Sequence, residues 1–352
     1  AVMGIVKHVR QCQKWGCSHV AAYFSRVLVL TLHEMHPVVD ESKHRAELAT
    51  VPRYTWPLLT ELKLWRQKSW PGSNKPKNAT YFLHFSKAGG TSVCNLYQKS
   101  GLPGIVTKTN CFDTKGSMWR EGVHDGAYWG RSKYKYKSSY FVERTCAERN
   151  TLQKRKFFAV ERYFDLEELC DNFLYMTIMR DPKQRLVSHL SHMQSVFHSQ
   201  NEDKTRDRDN ERFAHPLFNS LKEALDHAPE QSNFYVRHLL GKKGYFADNV
   251  GLDHMRRARQ LLLQRFEVIM TLEHMDCTNV MLSSLFGKEG TQLPKENVKF
   301  EEKEGHSRDK TVGFLTDDDI NTKLQKHTEL DYMLYEAASN IALADCMIFK
   351  AH

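Results

Sequence analysis

Only 8 of the 352 residues are cysteine, and no two of them form a C-x-x-C pair. That excludes a disulfide-dense scaffold and gives no cysteine spacing suited to a metal. Long apolar runs are missing too. The best candidate, Val20 to Leu32, is interrupted by Arg26 and is too short to cross a bilayer, which leaves a packing helix. No zinc-finger spacing, RNA-recognition motif or helix-turn-helix pattern occurs, so the sequence offers no nucleic-acid-binding module. Internal repeats and low-complexity tracts are also absent.

With 41% hydrophobic and 26% charged residues, the chain has enough apolar surface for one large core or two modest ones. The chain is expected to form one large domain over 78–352 preceded by a helical extension and linker over 1–77. The linker is the polar run Ser73 to Lys77. A net charge of +9, from 51 Lys+Arg against 42 Asp+Glu, favours an anionic ligand.

The residues Tyr81-Phe82-Leu83-His84-Phe85-Ser86-Lys87-Ala88-Gly89-Gly90-Thr91-Ser92 read as a buried strand, a Gly-Gly turn and a helix start. Such a turn suits a phosphate. Glycines let the backbone approach an anion, and the first N–H groups of the helix point at it. Lys87 adds a positive charge, and Thr91 and Ser92 add hydroxyls. The lysine precedes the glycines, which is the reverse of the nucleotide-triphosphate loop G-x-x-x-x-G-K-[ST]. About ninety residues on, Phe173 to Ser188 repeats the strand-to-helix pattern, with Arg180 at the strand end, Pro182 in the first helical turn and Ser188 about two turns further.

Together these stretches resemble the sulfotransferase superfamily that uses 3′-phosphoadenosine 5′-phosphosulfate, and most closely its Golgi-type carbohydrate sulfotransferases. Their first loop commonly reads K-[TA]-G-G-T-[ST] and their second motif R-[DN]-P-x-x-R-[LY]-x-S. The resemblance covers roughly 79 to 345. It implies an α/β, P-loop-like three-layer fold with a central, mainly parallel sheet flanked by helices. It further implies that Lys87, Ala88, Gly89, Gly90, Thr91 and Ser92 hold the 5′-phosphosulfate, and that Arg180 and Ser188 hold the 3′-phosphate. Lys87 would steady the leaving phosphate. No metal enters that scheme, and the acceptor would be a carbohydrate or another hydroxyl compound.

Phe157 to Arg162 reads as a further buried strand ending in charge. A carboxylate there lies where open α/β sheets place their active sites, which makes Glu161 the candidate general base. A surface pair with Arg162 is the competing reading. His189 and His192 share a helix face, but no H-E-x-x-H motif accompanies them, and His192 is expected at the acceptor pocket. The run Ser232 to Gly241 resembles the family's N-x-x-x-R-x-L segment and adds Tyr235 and Arg237 as substrate-side residues. In the polar segment 297–310, Arg308 and Lys310 would close over the 3′-phosphate, with a plain solvated loop as the alternative. Lys133 to Lys137 alternates Lys and Tyr, as either a sugar-binding face or an edge strand with solvated lysines would. The stretch 199–212 is a solvated, balanced-charge loop.

A helix is expected over 253–265, a strand over 266–273, a helix over 275–286, and two closing helices begun by Thr316 and Thr328. The resemblance places the chain in the Golgi lumen through an anchor upstream of residue 1, with the cytoplasm as the alternative. In a secretory enzyme Cys111 and Cys146 would bracket a disulfide-closed loop. Buried free thiols are the reading for Cys94, Cys170 and Cys346. Asn78-Ala79-Thr80 is a glycosylation sequon. Two other functions stay open: a P-loop-like kinase or hydrolase with Asp181 on Mg²⁺, and an inactive glycan-binding relative.

Overall fold

The computed structural model describes residues 22–27, 56–67, 79–100, 145–147, 157–161, 169–190, 232–294 and 318–350, together with the single positions 70, 163, 164, 166 and 225. The expected Lys/Tyr segment, the charged loop 199–212 and the polar segment 297–310 lie outside them, as do Asn78 and Cys111.

Four strands form one wholly parallel sheet, in the order β2-β1-β3-β4. They are β1 (Ala79–His84), β2 (Phe157–Val160), β3 (Phe173–Met179) and β4 (Val268–Thr271). Every residue of β1 and β3 is buried, as expected for strands covered on both faces. Register is fixed at the centre by Phe82 opposite Met176 and at the end by His84 opposite Ile178.

Alternation along the strands divides the core in two. Phe82, Met176, Ile178 and Met270 face one side, where they pack on α1 (Trp56–Gln67), α2 (Gly90–Lys99) and α7 (Met275–Phe286). Tyr81, Leu83, Tyr175 and Ile269 face the other, against α4 (Phe234–Leu239) and α6 (Leu252–Arg265). Helix α3 occupies 182–190, and the short α5 is Gly241–Tyr245. The fold is α/β, with helices on both faces of a parallel sheet.

The C-terminal region is a single 33-residue helix, α8 (Asp318–Lys350), instead of the two closing helices expected. No Gly or Pro interrupts it, and buried Ile320, Leu324, Leu334, Ala338 and Ile341 continue one stripe through the expected break. Thr328 does not cap a helix: its hydroxyl donates back to the Leu324 carbonyl at 2.8 Å.

Cysteine usage also differs from expectation. Cys146 pairs with Cys170 and Cys277 with Cys346, and Cys94 is disulfide-bonded as well, so Cys94, Cys170 and Cys346 are not free thiols. The Cys277–Cys346 bridge ties α7 to α8 across 69 residues of sequence. Spacing along the chain cannot reveal such a pairing, because it depends on which helices pack side by side.

Arg26 looked like an interruption of an apolar run and proves to be its anchor. Its guanidinium is buried against Asp345 at 2.7 Å and donates to the carbonyls of Phe266 and Glu267. Arg66 of α1 reaches the other Asp345 oxygen at 2.7 Å. Burial alone would raise the Asp345 carboxyl, but the two guanidiniums outweigh it and hold it below the usual carboxylate range. Residues 22–27 and α1 are thereby keyed into the main core, to which α1 contributes Leu62 and Trp65.

Candidate functional site

In a parallel sheet all strands end on the same edge, and a crevice opens where neighbouring strands lead away in opposite directions. Here that point lies between β1 and β3, because the chain leaves β1 for β2 on one side and β3 for β4 on the other. The β1 end leads into Lys87 and Gly89, the β3 end into Arg180, and the neighbouring β2 end into Glu161.

The turn after β1 is tightly specified. Lys87 has φ of 65° and Gly89 of 84°, two left-handed residues in three. The first is uncommon for a residue with a Cβ and costs on the order of 1 kcal/mol. The φ of 84° calls for glycine, and a Cβ at 89 would also push the Leu272 Cδ2, 2.9 Å away, aside. Within the turn, the Ala88 N–H donates to the Phe85 carbonyl at 3.2 Å and the Ser92 N–H to Gly89 at 3.1 Å. The Ala88 and Ser92 N–H groups, both in the loop expected to face an anion, therefore have backbone partners. Gly89 caps the start of α2 and Gly90 is its first residue, where N–H groups have no carbonyl within the helix. Ala88 and Ser92 are buried, while Lys87, Gly89 and Thr91 are half-buried.

Burial lowers the Lys87 ammonium; the Glu161 charge pulls it back up and Arg180 pushes it down. The Lys87 ammonium therefore feels both the Glu161 and the Arg180 charge. Glu161 itself is 3% exposed. Its Oε2 lies 3.8 Å from Nδ1 of His84, a residue whose role sequence reasoning missed. Its only signal was its place as the last polar residue before the turn.

Arg180 is half-buried, its side chain 3.3 Å from the Gln184 Oε1. Its main chain is clamped by Tyr235, whose hydroxyl receives the Arg180 N–H at 3.0 Å and donates to the Arg180 carbonyl at 2.8 Å. The adjacent Asp181 N–H donates to Glu273 at 2.8 Å, and the Tyr335 hydroxyl donates to the same carboxylate. Asp181 caps α3: Oδ1 accepts the Gln184 N–H at 2.8 Å, and Oδ2 accepts the Tyr332 hydroxyl at 2.9 Å. Ser188 is half-buried on α3.

Tyr235 thus reaches the site through the Arg180 backbone. Arg237 is turned into the fold, its guanidinium donating to the carbonyls of Ser232 at 2.9 Å and Ala247 at 2.5 Å. Beneath them Arg185 is buried over the Phe234 ring at 3.8 Å, and burial lowers it to about 10 against the opposing pull of Tyr235 and Asp331. His192, Arg308 and Lys310 lie outside the described residues.

These residues define a parallel α/β protein whose charged groups converge on the carboxyl ends of its strands. No family model matches the chain, and no curated protein matches it.

Proposed function

We propose that the protein is a sulfotransferase of P-loop-like fold that moves the sulfuryl group of 3′-phosphoadenosine 5′-phosphosulfate onto a carbohydrate hydroxyl. The observation that carries this reading is the convergence of two cationic turns, at Lys87 and at Arg180, on the crevice between β1 and β3, with Glu161 beside them. A donor bearing phosphate at two ends needs two anion sites, and two strand-to-helix turns supply one each.

In this reading the Gly89 and Gly90 N–H groups at the start of α2 and the Lys87 ammonium hold the 5′-phosphosulfate. The forked guanidinium of Arg180 takes the 3′-phosphate, with Ser188 beside it. Charge grows on the bridging oxygen as the S–O bond breaks, and a cation fixed there favours the transition state over the ground state. Glu161 accepts the proton of the acceptor hydroxyl, a step that contributes about 10²- to 10⁴-fold. Because Glu161 is so deeply set, the reacting hydroxyl must enter the crevice. The helix-capping role of Asp181, both oxygens of which already accept hydrogen bonds, speaks against the Mg²⁺-holding alternative. The disulfides suit an oxidising compartment such as the Golgi lumen.

The test is calorimetric titration with adenosine 3′,5′-bisphosphate in the absence of metal. Micromolar binding lost in Arg180→Ala is the expected result. Binding of ATP with Mg²⁺ in its place would overturn the reading.

A further inference from the structure

Hydroxyls buried in this fold generally find a carbonyl. Thr177 donates to Leu83 at 2.9 Å, Thr278 to Thr271 at 2.8 Å and Thr328 to Leu324 at 2.8 Å. The Ser86 hydroxyl is an exception: the residue is 2% exposed, and its Oγ has no hydrogen-bond partner among the described residues. Its place in the chain makes that informative. Ser86 and Lys87 are the two corner residues of the turn closed by the Ala88 N–H on the Phe85 carbonyl, between the end of β1 and the start of α2. Just beyond it, the Gly89 and Gly90 N–H groups likewise find no backbone carbonyl among the described residues. Three donors without acceptors thus lie between residues 86 and 90, in the same stretch as the Lys87 ammonium.

We propose that Ser86 is a further binding residue of this turn, its hydroxyl donating to an oxygen of the tetrahedral anion, phosphate or sulfuryl, that the turn holds. The inference rests on the reading of the turn as the 5′-phosphosulfate site. A buried hydroxyl without a partner opposes folding, and an alanine of nearly the same volume removes that cost. Serine is therefore of use here when its acceptor comes from outside the chain. The hydroxyl hydrogen rotates to suit whatever acceptor arrives, and a bond to an anionic oxygen is stronger than one between neutral groups. Stability of the free protein and affinity for the anion consequently pull in opposite directions at this residue.

Ser86→Ala tests this in two measurements on the full chain. In urea unfolding of the ligand-free protein the midpoint should stay or rise, because the variant buries one polar group fewer. In calorimetric titration adenosine 3′,5′-bisphosphate should bind about ten- to a hundredfold more weakly, the range for a hydrogen bond to a charged group. Adenosine 3′-monophosphate, which has no phosphate for this turn, should bind the two proteins alike. Equal affinity of the bisphosphate for wild type and variant, or equal weakening of both nucleotides, would overturn the inference. So would a lower urea midpoint, since it would mean that the hydroxyl is already satisfied in the free protein. Inorganic pyrophosphate separates the two levels. If the wild-type protein binds pyrophosphate but not the bisphosphate, and Ser86→Ala weakens pyrophosphate, the sulfotransferase reading falls and the role of Ser86 stands; if the bisphosphate binds with no help from Ser86, only that role falls. Binding of neither ligand to the wild-type protein would overturn both.

Discussion

The Tyr235 hydroxyl grips both polar groups of one peptide residue, receiving the N–H of Arg180 at 3.0 Å and donating to its carbonyl at 2.8 Å. Tyr235 is wholly buried on α4, so the clamp joins one face of the sheet to the turn after β3 and sets where the Arg180 side chain departs. Tyr235→Phe keeps the ring and deletes the clamp. With a net value of about 1 kcal/mol for each of the two hydrogen bonds, binding of adenosine 3′,5′-bisphosphate should weaken by up to about thirtyfold, read by calorimetry. Unaltered affinity would mean that Arg180 is held by its side chain alone or is not a ligand.

Gly90 and His84 should behave as a coupled pair in stability. An alanine methyl at 90 cannot coexist with the imidazole in its present place. Gly90→Ala should therefore destabilise the fold by about 1–3 kcal/mol, the usual cost of overpacking. His84→Ala made in the same chain should recover much of that loss, and urea unfolding of the four proteins of the cycle measures the coupling. Equal cost of the methyl with and without His84 would show that it meets some other obstacle.

How much of this was legible in the sequence follows from how local each feature is. The turn from β1 into α2 could be read because its glycines and lysine are contiguous, and α6 and α7 were expected within a residue of where they lie. The β4 strand is shorter than the apolar run suggested, since only Val268 to Thr271 pair with β3. What stayed hidden depends on contacts distant in sequence. Arg26 meets Asp345 319 residues away, and the Cys277–Cys346 bridge needs α7 and α8 side by side. Tyr235 and Arg237 were expected as substrate-side residues from local resemblance. The direction each side chain takes, toward the Arg180 backbone in one case and the Ser232 and Ala247 carbonyls in the other, is set by tertiary packing.

The Arg26, Arg66 and Asp345 cluster gives a sharp expectation for the segment before residue 78. Arg26→Met should cost about 3 kcal/mol, because Asp345 keeps only one of its two buried partners. A chain starting at residue 78 lacks both arginines and leaves a buried carboxylate uncompensated. It should lose cooperative urea unfolding and near-ultraviolet dichroism. A stable, cooperative 78–352 fragment would make the earlier segment a dispensable extension.

Asp331 and His238 should act on stability in opposite directions with pH. Burial raises the Asp331 carboxyl from 3.8 to about 6, even though it accepts the Val236 and Tyr235 N–H groups at 3.0 and 3.1 Å. Its folded value exceeds its unfolded one, so its contribution is complete at low pH and is lost as pH rises through about 6. Burial lowers His238 from 6.5 to about 3, against the opposing hydrogen bond to the Phe234 carbonyl at 2.7 Å. That contribution is complete above about 6.5 and is lost as pH falls toward 3. Across the acid range between the two unfolded values the slopes, each at most about 1.4 kcal/mol per pH unit, have opposite sign and largely cancel. Arg185 lies beside both groups and stays charged throughout. His238→Asn should expose the Asp331 slope, giving a protein whose urea midpoint drops as pH rises from about 4 to about 6 relative to wild type. Asp331→Asn should expose the histidine slope and reverse the trend. Parallel profiles for the three proteins would mean that these two groups reach solvent in the folded state.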